Sequence, residues 1–534
     1  MPIRARRFCL ALATLAFAFA MATASHAQDE DDSADFFGDA PAKVDASKSG
    51  EDFFGDGVTP SVFTKKGEIG GEIWQKLATD TVKDRESEYL HSSLSLLVAE
   101  GNFNVTPKLS ARLSGLATYE FDWNRTHHYA EYDAELWELY GDYRAGDLVL
   151  CVGQRVWAWG QTDIISPVNL INPVDFRRFL DAEMNLARMP VPSLAATWYF
   201  GDLRLTGIAL PFARGAQFDV VRSGHSLFGH EFPLGELLRF AKDDRGYRSV
   251  KRFLDLWSPD WQDDLQGAFD DPDFYADRIE HPQDDFTHAS GAARFGGRVR
   301  GWDFDVMGYY LYDQIPTIYL NPQFRDLLRA GSDAESDDGP IPDPRDLSTS
   351  VVTDPFRATW SRIGGTGADV GTTFGPVALR AEGTAIWGRR TYREDFTSVE
   401  KPVYNYAANI EYTLPGDIMV SAVWYQSHLG DYERDLIAEP VNSLLFLAWR
   451  ATFLQDRLKT EGVAAYDFSE LSDDEWRDAD IFGEGAQLSP FVEWAWTDTV
   501  RTAVGANLLT GNRYTLFGFF RERSRVFTTL KLDF

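Results

Sequence analysis

Arg525-Val526-Phe527-Thr528-Thr529-Leu530-Lys531-Leu532-Asp533-Phe534 closes the chain. Side chains of an extended segment point alternately to its two faces. Val526, Thr528, Leu530, Leu532 and Phe534 therefore share one face, and Thr529, Lys531 and Asp533 the other. One face is apolar and one is polar, as a strand between an apolar and an aqueous phase requires.

The same dyad recurs upstream. Leu109, Ala111, Leu113, Gly115, Ala117, Tyr119 and Phe121 alternate with Ser110, Arg112, Ser114, Thr118, Glu120 and Asp122. Further sets are Leu203 to Ala209 against Arg204 and Thr206, and Ala293 to Val299 against Arg294, Arg298 and Arg300. Val377 to Trp387 alternates with Arg380, Glu382 and Thr384, and Val492, Trp494 and Trp496 with Glu493. These segments run to about ten residues, whereas strands of soluble proteins average about five or six. After Ala27 no apolar run approaches the roughly 18–20 residues of a spanning helix. A closed barrel is the remaining structure that satisfies its backbone in hydrocarbon.

Connections supply a second test, because such barrels alternate short turns with long loops. Short turns are expected near 106–108, 145–147, 200–203, 300–302, 374–377, 414–417, 455–458 and 497–499. Longer connections are expected near 78–87, 124–130, 157–192, 213–288, 313–359, 391–401, 429–442, 469–485 and 512–524. The reading is a transmembrane antiparallel β-barrel over 66–534 with about eighteen strands, or sixteen if the weak segment at Ile69–Lys76 is misread. Leu530, Leu532 and Phe534 then serve as the membrane-insertion signal read by the barrel-assembly machinery, with Phe534 in the periplasmic aromatic girdle. Both termini are expected in the periplasm. A propeller or β-helix would require a fixed repeat, and the spacing is irregular.

Met1 to Ala27 reads as a signal peptide: Arg4, Arg6 and Arg7, an apolar stretch from Phe8, then Ser25-His26-Ala27. Residues 28–65 read as an acidic periplasmic tail in which Asp35-Phe36-Phe37-Gly38-Asp39 recurs as Asp52-Phe53-Phe54-Gly55-Asp56. Phe36, Phe37, Phe53 and Phe54 are candidate docking residues for a periplasmic or inner-membrane transport partner. A tail with accidental repetition is the alternative. The carboxylates lack the ligand spacing of a calcium loop, and no metal or cofactor is expected.

The whole chain of 534 residues carries 52 Lys+Arg against 82 Asp+Glu, a net charge of −30. That balance excludes nucleic acid as a partner, since a phosphate-binding surface needs a basic stripe. Two cysteines exclude a disulfide scaffold. The 16 Trp, 21 Tyr and 38 Phe suit outer-membrane lipid at a barrel surface.

Eighteen strands enclose a lumen. Its expected lining is mixed in charge: Arg112, Arg204, Arg294, Arg298, Arg380 and Arg501 against Glu120, Asp303, Asp305, Glu382 and Glu493. These groups either set a transverse field for polar solutes or pair with one another and stiffen the wall. The connection 157–192 is the expected constriction, folding inward on its apolar face with Trp157, Trp159, Asp163, Asn172, Asp175, Arg177 and Arg178 at the narrowing. A lid over the mouth is the alternative. Asn172 and Pro173 suit the cap and first position of a short helix. In the 213–288 connection, Leu234 to Lys242 and Val250 to Trp257 have helical periodicity, and their apolar faces hint at a lipidic or amphipathic cargo.

Val152-Gly153-Gln154-Arg155-Val156-Trp157-Ala158-Trp159-Gly160, followed by Ile171-Asn172-Pro173-Val174-Asp175, resembles a signature of a large uncharacterised family of Gram-negative outer-membrane barrels. Tyr514 to Arg521, leading to Phe534, resembles that family's closing hairpin. The family is known as a domain of unknown function, and its members are often encoded beside exporters of the resistance-nodulation-division type. The resemblance implies a barrel and traffic of lipids or other hydrophobic compounds, and it carries over no catalytic residue. The three functions in play are a channel or transporter, a non-conducting scaffold that docks a partner through its tail, and a lipid-modifying enzyme. The last is disfavoured: most of His91, His127, His128, His225, His230, His281, His288 and His428 fall in expected loops, and no Gly-x-Ser-x-Gly elbow stands out.

Overall fold

The computed structural model describes residues 67–82, 89–125, 128–162, 164–177, 187–217, 286–323, 354–393, 395–416, 418–469, 485–511 and 515–534, with short pieces between 221 and 280 and at 325. Residues 1–66, with Phe36, Phe37, Phe53 and Phe54, the two stretches of the 213–288 connection expected to be helical, and Asp163 and Arg178 lie outside the described residues.

Eighteen strands form one closed antiparallel sheet. In chain order they are β1 Gly67–Asp80, β2 His91–Thr106, β3 Leu109–Trp123, β4 His128–Ala145, β5 Leu148–Arg155 and β6 Val191–Phe200. Then come β7 Leu203–Leu210, β8 Ser290–Val299, β9 Trp302–Tyr312, β10 Arg362–Phe374, β11 Val377–Trp387 and β12 Val403–Leu414. The last six are β13 Ile418–Leu429, β14 Val441–Phe453, β15 Leu458–Asp467, β16 Ala486–Thr497, β17 Val500–Thr510 and β18 Arg525–Asp533. Each pairs with its neighbour in sequence, and β1 pairs with both β2 and β18, which closes the cylinder. The segment at Ile69–Lys76 is thus a full strand and the count is eighteen. Phe534 completes the seam: its N–H donates to the Gly71 carbonyl at 2.9 Å and its carbonyl accepts from the Gly71 N–H at 3.0 Å.

Six of the eight short turns contain a residue with left-handed φ, at Gly146, Gly201, Arg300, Gly375, Gly416 and Leu454. At the β8–β9 turn Arg300 and Gly301 have φ of 53° and 84°. Two successive left-handed residues match the right-handed twist of a two-residue hairpin.

Alternation decides which face meets lipid. Val526, Thr528 and Leu530 of β18 are exposed, while Arg525 and Lys531 are buried inside. Val152, Leu194, Leu205, Val306, Ile410, Leu447 and Val504 are likewise exposed on the outer surface. At the short-turn end aromatic rings gather: Trp198 meets Phe200 at 5.3 Å between centroids, Phe200 meets Phe295 at 6.2 Å, and Trp302 meets Phe374 at 6.0 Å. A continuous apolar band with an aromatic rim is unfavourable in water and suited to a bilayer. No described helix is long and apolar enough to cross a membrane.

One strand departs from strict alternation. The β3–β4 register shifts between Leu113 and Gly115, whose partners are Leu139 and Leu136. This β-bulge turns two consecutive side chains, Trp137 and Glu138, to the inside, and both are buried. The Ser114 hydroxyl accepts from the Glu138 N–H at 3.1 Å, pairing a backbone group that the bulge displaces.

Candidate functional site: the lumen and its inward loop

The described parts of the 156–190 connection, residues 156–162, 164–177 and 187–190, lie inside the barrel. Ile165, Val168, Asn172 and Met189 are each 0% exposed although they belong to a connecting loop. Two apolar surfaces hold the loop. On the near wall Trp157, Trp159, Val168, Leu170 and Ile171 pack in one cluster with Ile208, Leu210, Met307, Leu311, Ile363 and Ile386 of β7 and β9–β11. On the far wall Ile164 and Ile165 pack with Val423, Leu444, Phe446 and Val463 of β13–β15, and with Leu516, Phe517 and Phe520 of the last loop. A loop that leaves from β5 thus reaches strands nearly opposite it in a ring of eighteen. Burying these side chains at about 25 cal/mol per Å² of apolar area is what draws the segment in.

Polar contacts fix its position. Glu382 on β11 accepts from the Gln161 N–H, from the Thr162 N–H at 2.6 Å and from the Ser166 hydroxyl at 2.5 Å. The Gln161 side-chain amide donates to Asp369 on β10. The Tyr309 hydroxyl of β9 donates to the Val168 carbonyl at 2.6 Å, and the Gln314 amide donates to the Asn172 carbonyl at 2.9 Å. The turn at Gly160 has φ of 122°, and a Cβ there would stand 2.0 Å from Ser166 Oγ, so only glycine fits. The receiving strand is stripped in the same way. Gly365, Gly367 and Gly371 share the inward face of β10 with Asp369, and a Cβ on Gly371 would stand 2.0 Å from Gln161 Oε1.

The expected constriction residues divide. Trp157 and Trp159 lie within the packed interior of the loop rather than at an aperture, because the loop folds onto the wall through them. The helix expected at Asn172–Pro173 is absent. Asn172 Oδ1 instead accepts from the Trp157 N–H at 2.7 Å, and Nδ2 donates to the Met189 carbonyl at 2.6 Å, which ties the two ends of the loop together. Val174 bridges to Arg188 and Asp175 to Gln217, so the chain there is extended. Asp175 and Arg177 pair with each other and reach the inward face of β4. Arg177 contacts Asp175 at 2.7 Å and Asp133 of β4 at 3.0 Å, and Arg214 contacts Glu135 at 3.3 Å.

The expected lining residues all lie on the inward faces, and most are in ion pairs. Arg112 meets Glu100 at 2.8 Å and Glu138 at 3.0 Å. Arg204 and Arg294 both face Asp305, at 2.9 and 3.9 Å. Arg298 meets Asp303 at 3.8 Å, and Arg380 meets Glu411 at 3.3 Å. Arg501 lies between Asp533 at 2.5 Å and Glu493 at 3.9 Å. Glu120 is buried on the inward face of β3. Glu382 differs: the loop holds it.

Sequence reasoning missed three features. Arg155 is buried at the base of the loop, 3.6 Å from Asp142 and stacked over Tyr140 and Trp157 at 4.5 and 4.8 Å. Asp369 carries no local signature, although alternate glycines around it mark a strand face cleared for something to lie on. Trp137 and Glu138 were hidden by the bulge.

The family model described as "Protein of unknown function (DUF1302)" matches residues 81–204. That stretch runs from the end of β1 to the start of β7 and includes the whole inward loop, with both signature runs quoted above. No curated protein matches the chain. Among solved structures it is similar to Pseudomonas aeruginosa OccK5 (OpdH), with 8% identity over 88% of this chain and 97% of that one, at a TM-score of 0.42. It is similar to Vibrio cholerae OmpT, an outer membrane protein with loop L8 deleted, at 10% identity over 88% and 100% and a TM-score of 0.35. Salmonella typhi OmpF in complex with daunomycin gives 7% identity over 88% and 97%, at 0.36.

Proposed function

We propose that the protein is an outer-membrane channel, with its termini in the periplasm, whose lumen is closed by a latched inward loop and whose cargo is amphipathic. One observation carries this reading. The inner wall is apolar where the loop lies on it, at Ile208, Leu210, Met307, Leu311, Ile363 and Ile386, and charged toward the short-turn end, at Arg204, Arg298, Asp303 and Arg380. If the loop withdrew, the apolar half would meet water, which is unfavourable unless an apolar solute replaces the loop. The charged half would take the polar end of the same solute. A barrel serving only as scaffold has no need for a loop held on buried carboxylates. A lipid-modifying enzyme would need a nucleophile and base in reach of each other, and this reading assigns none.

Proteoliposome uptake tests it. Vesicles carrying the full chain should admit a single-tailed amphiphile faster than a sugar of equal mass. Equal exclusion of both by a folded barrel would overturn the reading in favour of a scaffold.

A further inference from the structure

Three buried carboxylates stand side by side beneath the loop. Asp305 of β9 is the register partner of Asp369 of β10, and Asp369 is the register partner of Glu382 of β11. All three are 4–5% exposed. Like charges directly opposite on neighbouring strands repel, and water is not there to screen them.

Their surroundings are unequal. Asp305 has the two guanidinium groups, Arg204 from β7 and Arg294 from β8. Glu382 has the three donors of the loop. Asp369 has one neutral donor, the Gln161 amide, on Oδ1. Its Oδ2 and the Oε1 of Gln161 are buried without a hydrogen-bond partner among the described residues. The other polar groups nearby are committed: the Tyr309 hydroxyl to Val168, and Arg380, one register step away, to Glu411. Asn405 on β12 is neutral and bonds Thr384 at 3.3 Å.

We propose that Asp369 carries a proton on Oδ2 when the loop is latched, and that losing this proton to the lumen releases the loop. Neutral Asp369 separates two carboxylates that each have their own partners. Ionised Asp369 places three negative charges in a row against two guanidinium groups, of which Arg204 bonds Asp305 at 2.9 Å and Arg294 lies 3.9 Å from it. The loop's grip on Glu382 is the adjoining contact that can give. The sign follows from linkage. The latched state binds one more proton than the open state, so latching is favoured at low pH and is lost as pH rises through the latched-state titration. Only the conductance readout of this inference rests on the channel reading.

The test uses the full chain in detergent or bilayer, with amide exchange over 157–171 and single-channel conductance both followed from pH 5 to pH 9. Exchange, corrected for its intrinsic pH dependence, should speed up by as much as about tenfold per pH unit over the titration range. Asp369→Asn should remain latched and flat across the range, with heat-modifiable gel migration confirming the fold. If Asp369→Asn does not fold, Asp305→Asn, which removes a neighbouring charge and leaves Arg204 and Arg294 to Asp369, should shrink the pH-dependent step and end it at lower pH than in the wild type. A flat wild-type profile, or an Asp369→Asn profile that follows the wild type, would overturn the proton latch. Exchange that follows pH in a barrel that never conducts would keep the latch and sink the channel.

Discussion

The Ser166 hydroxyl donates to Glu382 Oε2 at 2.5 Å, joining the inward loop to a strand 216 residues further along the chain. With the two backbone donors at Gln161 and Thr162, this carboxylate is the polar anchor of an otherwise apolar contact. Glu382→Ala leaves buried donors unpaired, at a local cost of about 2–4 kcal/mol. The loop should then exchange and be cleaved by protease faster, while the barrel keeps its heat-modifiable migration. Unchanged protection over 157–171 would show that apolar packing alone holds the loop.

Gly160 should tolerate no side chain. Gly160→Val adds an unfavourable φ and a clash with Ser166 Oγ, with backbone strain worth about 1–3 kcal/mol. The expected phenotype copies Glu382→Ala, and the double variant should be little worse than either alone, because both break one contact. Full additivity in exchange protection would contradict the shared contact.

Inside the far wall, Arg450 meets Glu461 at 2.6 Å and Lys459 meets the same carboxylate at 3.0 Å, all buried. Glu461→Leu leaves two buried cations, and should cost about 3–5 kcal/mol in urea unfolding from lipid. Arg450→Met should cost less, since Lys459 still neutralises Glu461. The reverse order would refute the shared-carboxylate arrangement.

Leu447 lies midway along β14 on the outer surface and is about half exposed. Leu447→Arg should destabilise the membrane-inserted barrel by about 2–4 kcal/mol, whereas Trp496→Arg at the short-turn rim should cost about 0–1 kcal/mol. Equal costs would mean that no apolar midplane exists at this height.

On the long-loop side, Glu433 receives Arg393 at 2.6 Å and Lys401 at 2.5 Å. Hydrogen bonds from these two cations pull its carboxyl down to about 2 from an ordinary 4.5. A depressed carboxyl contributes its clasp fully above the ordinary value and loses it as pH falls toward the lowered one. Proteolysis between 429 and 442 should therefore stay constant down to about pH 4.5 and rise between there and pH 2, and Glu433→Gln should remove that step. A wild-type step above pH 5 would assign it to another group.

Much of the fold was legible because the barrel writes its two solvents into every second residue. Leu109 to Phe121 and Val526 to Phe534 gave strand, face and register parity without any long-range information. The turn at Arg300–Gly301 was legible because few residues accept its φ values. Trp137 and Glu138 were not, since a bulge breaks the very alternation on which the reading depends. The site was legible in part. The apolar content of 157–176 pointed the loop inward, but the role of Asn172 was misread. An Asn before a Pro is a local cue for a helix cap, and here its side chain is taken by Trp157 and Met189 across the loop. Glu382 was read as lumen-facing from its strand, yet what it holds lies more than two hundred residues away, beyond any spacing rule. Asp369 was announced only by the glycines beside it.

Single-channel recording of the wild type and of Glu382→Ala in planar bilayers, at one pH and one salt concentration, tests the central claim that an inward loop closes a lipid-embedded cylinder. The account predicts rare, small openings for the wild type and larger, longer ones once the anchor is removed. Superimposable traces, or two folded barrels that never conduct, would contradict it.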